Sequence, residues 1–275
     1  MTQTVTPTVG QADRLPQQGP LAGWPIYSLE LKSRSRVAER TLEFRFDKPA
    51  GMTFKAGQFM DLTLIDPPET DAEGNTRGFS INSAPDDPEL TFTTRLRDTA
   101  FKRVLETMPL GTEVKVEGPF GSLTLHNNGR RPAVLLAGGI GITPFRSIAR
   151  RAAHEQLPHR IWLFYANRRP EDAPFLEELE HLARENPKFT FVPTMTQMSH
   201  SQREWKGETG FITHELIERH VKREQPAGTE TTASEMGDPI YYMAGPPAMV
   251  AGLRTMLNGA GVDDDDIRTE EFTGY

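Results

Sequence analysis

The run Ala133-Val134-Leu135-Leu136-Ala137 is apolar at every position, and Gly138-Gly139-Ile140-Gly141-Ile142-Thr143-Pro144 follows it without a break. A strand with no polar side is buried on both faces. The next segment, 145–156, puts Phe145, Ile148, Ala149 and Ala152 on one side of a helix. Strand, glycine turn and helix in that order form one unit of a parallel sheet. The glycines let backbone crowd an anion, the helix start offers free N–H groups, and Pro144 suits a first helical turn. The glycine spacing departs from the strict dinucleotide fingerprint, so the turn alone does not name its ligand.

The alternation continues to the end of the chain. Residues 161–165, 189–195 and 240–244 read as strands, and 175–184, 213–222 and 248–258 as helices. This order predicts a doubly wound parallel α/β sheet with ligands at the carboxyl ends of its strands. Three loops leave those ends: Gly138 to Thr143, Asn167-Arg168-Arg169-Pro170, and Gly245-Pro246-Pro247-Ala248-Met249.

Ahead of Pro132 the pattern differs. Segments 26–31, 41–46, 58–65, 90–96 and 114–118 are short and broken by Gly, Pro and Asp, several of them alternating in polarity, as strands of a small antiparallel barrel are. One helix interrupts them, with Asp98 as its expected N-cap, Phe101, Val104, Leu105 and Met108 as its apolar side, and Gly111 as its stop. The polar stretch 126–131 sets the expected boundary between a 21–127 half and a 128–275 half. Residues 1–20, rich in Thr, Gln, Pro and Gly, read as a disordered leader.

Within the first half, Arg77-Gly78-Phe79-Ser80-Ile81-Asn82-Ser83 concentrates chemistry. Alternation puts Arg77 and Phe79 on one side of a strand and Gly78 and Ser80 on the other. A guanidinium suits phosphate, a ring suits stacking, and a hydroxyl suits a ring nitrogen. Gly118-Pro119-Phe120-Gly121-Ser122 reads as a tight turn, or as a second wall of the same phosphate site through its backbone N–H groups.

Composition removes whole classes of function. The formal charge is −7 and neither half carries the positive excess of a nucleic-acid binder. The chain has no cysteine, which rules out disulfides, a thiol nucleophile, a thiolate zinc site and an iron–sulfur cluster held by this chain. No apolar run approaches the roughly 20 residues of a membrane span. The leader lacks the basic and apolar regions of a secretory signal, so the expected location is the cytoplasm.

Five blocks in order carry a family resemblance: Arg77 to Ser80, Gly118 to Ser122, Gly138 to Pro144, Tyr165-Ala166-Asn167-Arg168, and Met243-Ala244-Gly245-Pro246-Pro247-Ala248-Met249. Together they resemble the ferredoxin–NADP reductase superfamily over about residues 24–275. The resemblance implies a flavin-binding barrel followed by a nicotinamide-nucleotide domain, with FAD and NAD(P)H as cofactors. It implies that Arg77 holds the FAD pyrophosphate, that Phe79 packs on the flavin where relatives usually have tyrosine, and that Ser80 hydrogen-bonds N5. Ile81, Asn82 and Ser83 would line the ring, Gly78 would belong to the same cofactor-binding set, and Gly118, Phe120, Gly121 and Ser122 would wall the phosphates. Gly138, Gly139, Gly141, Thr143 and Pro144 would receive the nucleotide, with Asn167 and Arg168 beside them and Gly245, Pro246 and Met249 seating the nicotinamide. Ala244 stands where many relatives have cysteine. Tyr275 or Phe272 would cover the flavin, and Ser80, Tyr275 and Glu271 are the expected catalytic residues.

The activity so implied is hydride transfer from NAD(P)H to FAD and delivery of electrons to a separate carrier protein, ferredoxin, flavodoxin or an oxygenase component. Reduction of free flavin and a flavin-binding sensor without turnover are the alternatives. Arg34, Arg36, Arg40 and Arg45 form either a docking patch for an acidic carrier or a solvated charged strand. The segment Thr196-Gln197-Met198-Ser199 carries no cation, which leans toward NADH, with Arg203 as the nearest group for a 2′-phosphate.

Overall fold

The structure is a computed structural model that describes residues 23–223 and 237–272. The expected leader and Tyr275 lie outside the described residues. The first half folds as β1 (Ile26–Glu30), β2 (Ser33–Ala38), β3 (Thr41–Asp47), β4 (Phe59–Leu64), β5 (Thr76–Ser80), β6 (Glu89–Arg95), α1 (Ala100–Thr107) and β7 (Glu113–Phe120). One antiparallel sheet runs β1-β7-β4-β5 and another β2-β3-β6. An Ile81–Phe92 bridge ties the end of β5 to β6. Phe44, Met60, Leu62, Ile81, Phe92 and Val116 fill the common core, and Phe101 of α1 plugs it. The pleat explains the alternation: Met60, Leu62 and Leu64 point inward from β4 while their neighbours remain partly exposed.

The second half folds as β8 (Ala133–Gly138), α2 (Ile142–His154), β9 (Ile161–Asn167), α3 (Leu176–Glu185), β10 (Phe189–Met195), β11 (Glu208–Thr209), α4 (His214–Arg223), β12 (Ile240–Gly245), α5 (Pro247–Gly259) and β13 (Ile267–Glu271). All pairings in its sheet are parallel, in the order β11-β10-β9-β8-β12-β13. Every residue of β8 is buried. Its odd-numbered residues pack with α2 and α3, and its even-numbered ones with α4 and α5. A doubly covered central strand therefore reads as a continuous apolar run. The expected helix start moves from Phe145 to Ile142, because Gly139–Gly141 forms a single tight turn that leads directly into α2. Two strands, β2 and β13, and the two-residue β11 went unread in the sequence. β2 and β13 are edge strands that bury one residue or none, so neither carries the alternating apolar signal. Among the described residues no helix is long and apolar enough to cross a membrane.

A buried histidine pair stands where the halves meet. The His126 backbone N–H donates to the Tyr242 hydroxyl at 2.9 Å, and His126 Nδ1 lies 2.9 Å from the same oxygen. The hydroxyl accepts the first bond and donates the second. Nδ1 is therefore unprotonated, and Nε2–H donates to the Arg131 carbonyl at 3.0 Å. His159 stands edge-on to this ring at 4.9 Å, with its Nε2 donating to the His126 carbonyl at 2.8 Å. Burial holds both imidazoles below the ordinary histidine value. The unfolded chain takes up protons there below about pH 6.5, while the fold resists them. The contribution is complete above that pH and is lost as pH falls, at up to about 1.4 kcal/mol per pH unit for each histidine. Urea unfolding between about pH 7.5 and 5.5 measures this: the midpoint drops more steeply in the wild type than in a His126→Gln, His159→Gln double variant. Parallel slopes contradict it.

Candidate functional site

The carboxyl ends of β8, β9 and β12 face the open side of the first half, and two cavities lie in that cleft. The smaller, about 360 Å³, is lined by Arg77, Gly78, Phe79 and Ser80 from β5, by Thr93, Thr94 and Arg95 from β6, and by Arg97, Thr99 and Lys102. Ile140, Thr143 and Phe272 close it from the second half. The larger, about 1150 Å³, runs along Gly138, Gly139, Asn167, Arg168, Pro246 and Met249, with Phe211 and Met256 farther out. Arg95 and Arg97 line both, so these two arginines form the wall between the cavities.

The smaller cavity has a cationic end and an apolar end. At the cationic end Arg77 lies 5.1 Å above the Phe101 ring. Its Nη2 pairs with Glu73 at 2.8 Å and Asp71 at 3.3 Å. Helix α1 starts here, with Thr99 as N-cap accepting from the Lys102 N–H. The expected cap, Asp98, pairs with Arg103 on the surface instead. Lys102 lies in the first turn, where a cation opposes the helix dipole. Burial, then the neighbouring Arg97 and Arg77, lowers its ammonium to about 8. Arg97 Nη2 is buried with no hydrogen-bond partner. Cations held together in this way are a site built for an anion. Arg95, Arg97, Thr99 and Lys102 were missed in the sequence. The signal was present in Arg95-Leu96-Arg97-Asp98-Thr99: basic residues two apart at the end of a strand, next to a helix start.

At the apolar end Ser80 is 3% exposed and its hydroxyl has no partner. An orphaned buried hydroxyl costs about 1–3 kcal/mol, which a ligand acceptor would offset. Thr143 and Phe272 stand across the cavity from the strand that carries it. Phe272 is held by its N–H, which donates to the Gly245 carbonyl at 3.0 Å. The glycine turn packs too closely for side chains: a Cβ on Gly141 would sit 2.1 Å from the Ala244 carbonyl oxygen, and one on Gly138 would sit 2.3 Å from Met249 Sδ.

Several expected positions do not meet the cavities. Ile81 is in the barrel core, Asn82 binds Glu43 and Thr93 at 3.1 Å each, and Ser83 accepts from the Thr91 N–H. The chain turns inward after Ser80, so these three support the wall without lining it. Gly118, Phe120, Gly121 and Ser122 are also elsewhere: β4 lies between β7 and β5, and Phe120 packs against Trp24 and Phe59. Gly141, Pro144 and Gly245 shape the turn and the β12 end from behind. Glu271 is exposed and lines neither cavity. Strand alternation instead puts Glu270 on the side of Phe272, and burial raises its carboxyl to about 7. The arginine patch is partly engaged as well: Arg34 donates to the Met108 carbonyl at 2.9 Å, and Arg45 pairs with Glu43 and Glu89.

Comparison with known proteins adds to this geometry. Residues 135–255 match the oxidoreductase NAD-binding domain family. One component of the Na(+)-translocating NADH-quinone reductase of Klebsiella pneumoniae is 33% identical over 165 residues, 60% of this chain and 38% of that protein. The reductase subunit of a glycine betaine monooxygenase from Chromohalobacter salexigens is 28% identical over 236 residues, 85% of this chain and 60% of that protein. Ferredoxin–NADP reductase B of Sorangium cellulosum is 28% identical over 238 residues, covering 85% of this chain and 91% of that protein. The chain thus spans less than two thirds of the length of several curated relatives it matches. A ferredoxin NADP+ reductase from Neisseria gonorrhoeae, solved with bound FAD and NADP, superposes with a TM-score of 0.70 at 21% identity, over 90% of this chain and 98% of that one. With an antiparallel half, a parallel half and a cleft between them, the chain carries an oxidoreductase NAD-binding domain over 135–255 and is similar to ferredoxin–NADP reductases in fold and sequence.

Proposed function

We propose that the chain is a flavoprotein oxidoreductase, with a flavin-binding barrel over 21–127 and an NAD(P)-binding domain over 128–275. FAD would accept a hydride from NAD(P)H and release electrons to a separate protein. The single observation that carries this reading is the unsatisfied polarity of the smaller cavity. Ser80 offers a buried hydroxyl with no partner, and Arg97 a buried N–H with none. A ligand with a flat polar head and an anionic tail meets both needs.

The residues divide accordingly. Arg77, Arg97, Lys102 and the start of α1 would hold the diphosphate, as charge-assisted donors do. Ser80 would hold a ring nitrogen, Phe79 and Thr143 would bound the ring, and Phe272 would cover it and keep water out. Gly138, Gly139, Asn167, Arg168, Pro246 and Met249 would seat the nicotinamide nucleotide in the larger cavity. Glu270 titrates near neutrality and would hold or give up a proton beside that cover. Arg203 pairs with Glu177 at 3.4 Å and is not among the residues lining the larger cavity, which favours NADH. Oxygenase reductase subunits among the relatives support a separate protein acceptor.

Two outcomes test the reading. An anion beside Lys102 raises its pKa, so FAD affinity falls as pH rises through about 8, with proton uptake on binding. Lys102→Met weakens FAD about tenfold and abolishes that dependence. Isothermal titration with FAD measures both, and a pH-independent affinity contradicts the assignment. Ser80→Ala removes an unpartnered hydroxyl, so the apoprotein does not lose melting temperature. The same change slows anaerobic bleaching of bound FAD by NADH about 100-fold. A wild-type protein that holds FAD and never bleaches with NADH or NADPH is not a reductase.

A further inference from the structure

Helix α2 presents four side chains in sequence to one stretch of the barrel. Arg146 Nη1 donates to the Asn82 carbonyl at 3.0 Å and reaches Glu43 at 3.3 Å. Ser147 Oγ donates to the Ser83 carbonyl at 2.6 Å. Arg150 Nη2 pairs with Asp87 at 2.9 Å, and His154 Nδ1 lies 2.8 Å from Asp86. Positions 146, 147, 150 and 154 share one side of a helix, so the ladder is built into the sequence spacing. It is dry at its inner end, where the side chains of Glu43 and Arg146 are 1% and 8% exposed. Glu178 of α3 receives the other edge of the Arg146 guanidinium at 2.9 Å and also binds Arg150 at 3.1 Å. Phe175 stacks on the same guanidinium at 4.2 Å.

The ends of this ladder matter for the site. Asn82 is two residues beyond Ser80, and Arg146 is one helical turn beyond Thr143. Ser80 and Thr143 line the smaller cavity from opposite halves. One route between them runs Ser80, Ile81, Asn82, Arg146, Thr143, and every junction in it is covalent, helical or a buried hydrogen bond.

We infer that this ladder is a positioning device for the reaction, with Arg146 as its central member. It fixes the distance between the Ser80 strand and the nucleotide turn, and its members line neither cavity. The inference rests on the proposed reductase reading. A displacement of about 1 Å between reacting partners lowers a rate about 100-fold. The device therefore acts on the transfer step and leaves both binding equilibria alone.

The test uses the full chain loaded with FAD. Arg146→Met lowers the limiting rate of anaerobic flavin reduction by NADH at least about tenfold, and Ser147→Ala, which loses one hydrogen bond, lowers it about threefold. FAD affinity and the NADH concentration for half-saturation stay within about twofold of wild type. A core truncation in α4, Ile217→Ala, matches the loss of melting temperature and leaves the rate unchanged. A second readout needs no turnover. The chain has no cysteine, so Lys115→Cys and Glu185→Cys take spin labels cleanly, one on each half. The distance between the labels is narrowly distributed in the background protein and broad with Arg146→Met, in the absence of cofactor. Unchanged reduction rates in both ladder variants, or a loss of rate that Ile217→Ala reproduces, overturn the positioning role. A wild-type protein that neither NADH nor NADPH reduces overturns the reductase reading instead.

Discussion

The buried guanidinium of Arg146 is the centre of a dry ion-pair network between the two halves, which Arg95–Asp172 at 3.2 Å and Arg169–Glu39 at 2.6 Å also bridge. It satisfies Glu43, Glu178 and the Asn82 carbonyl at once. Removing one partner of such a network leaves an uncompensated charge, at a cost of about 3–5 kcal/mol. The halves are therefore held at one setting, and a cleft defined by that setting has a fixed width. Around it the packing is equally unyielding: the glycine turn meets the β12 end at a distance that admits no Cβ.

On this frame the cleft carries unbalanced electrostatics. Arg95 and Arg97 stand between the cavities, Lys102 is partly discharged by burial and by its cationic neighbours, and α1 points its positive end the same way. This cluster is part of the folded structure, with Arg95 paired to Asp172 at 3.2 Å and Lys102 donating to the Arg95 carbonyl at 2.7 Å. It lowers the free energy of an anionic ligand that enters, because donors already oriented need no reorganisation. Two anionic dinucleotides sharing one wall of arginines would lie with their reactive ends at the other side of the cleft, beside Ser80 and Phe272.

Much of this was legible in the sequence, and the gaps have physical reasons. The apolar run 133–137 was readable because double-sided burial leaves an unmistakable pattern. Ser80, Arg77 and Thr143, which motif order brings together in the sequence reading, line one cavity. The Gly118–Ser122 turn was misread because sequence cannot say that β4 intervenes. Ile81, Asn82 and Ser83 were misread because the chain leaves the cavity wall after Ser80. Lys102 escaped notice because its meaning comes from Arg77, distant in sequence. β13 escaped notice because a charged edge strand carries no periodic signal, and with it went the distinction between Glu270 and Glu271.

The central claim is that the cleft brings one face of a nicotinamide against a flavin held at Ser80. Single-turnover reduction of the FAD-loaded protein by NADH carrying deuterium at one or the other C4 position tests it directly, with the NAD+ product weighed by mass spectrometry. The account predicts complete loss of deuterium from one diastereomer and complete retention in the other. A mixture from both diastereomers would contradict it.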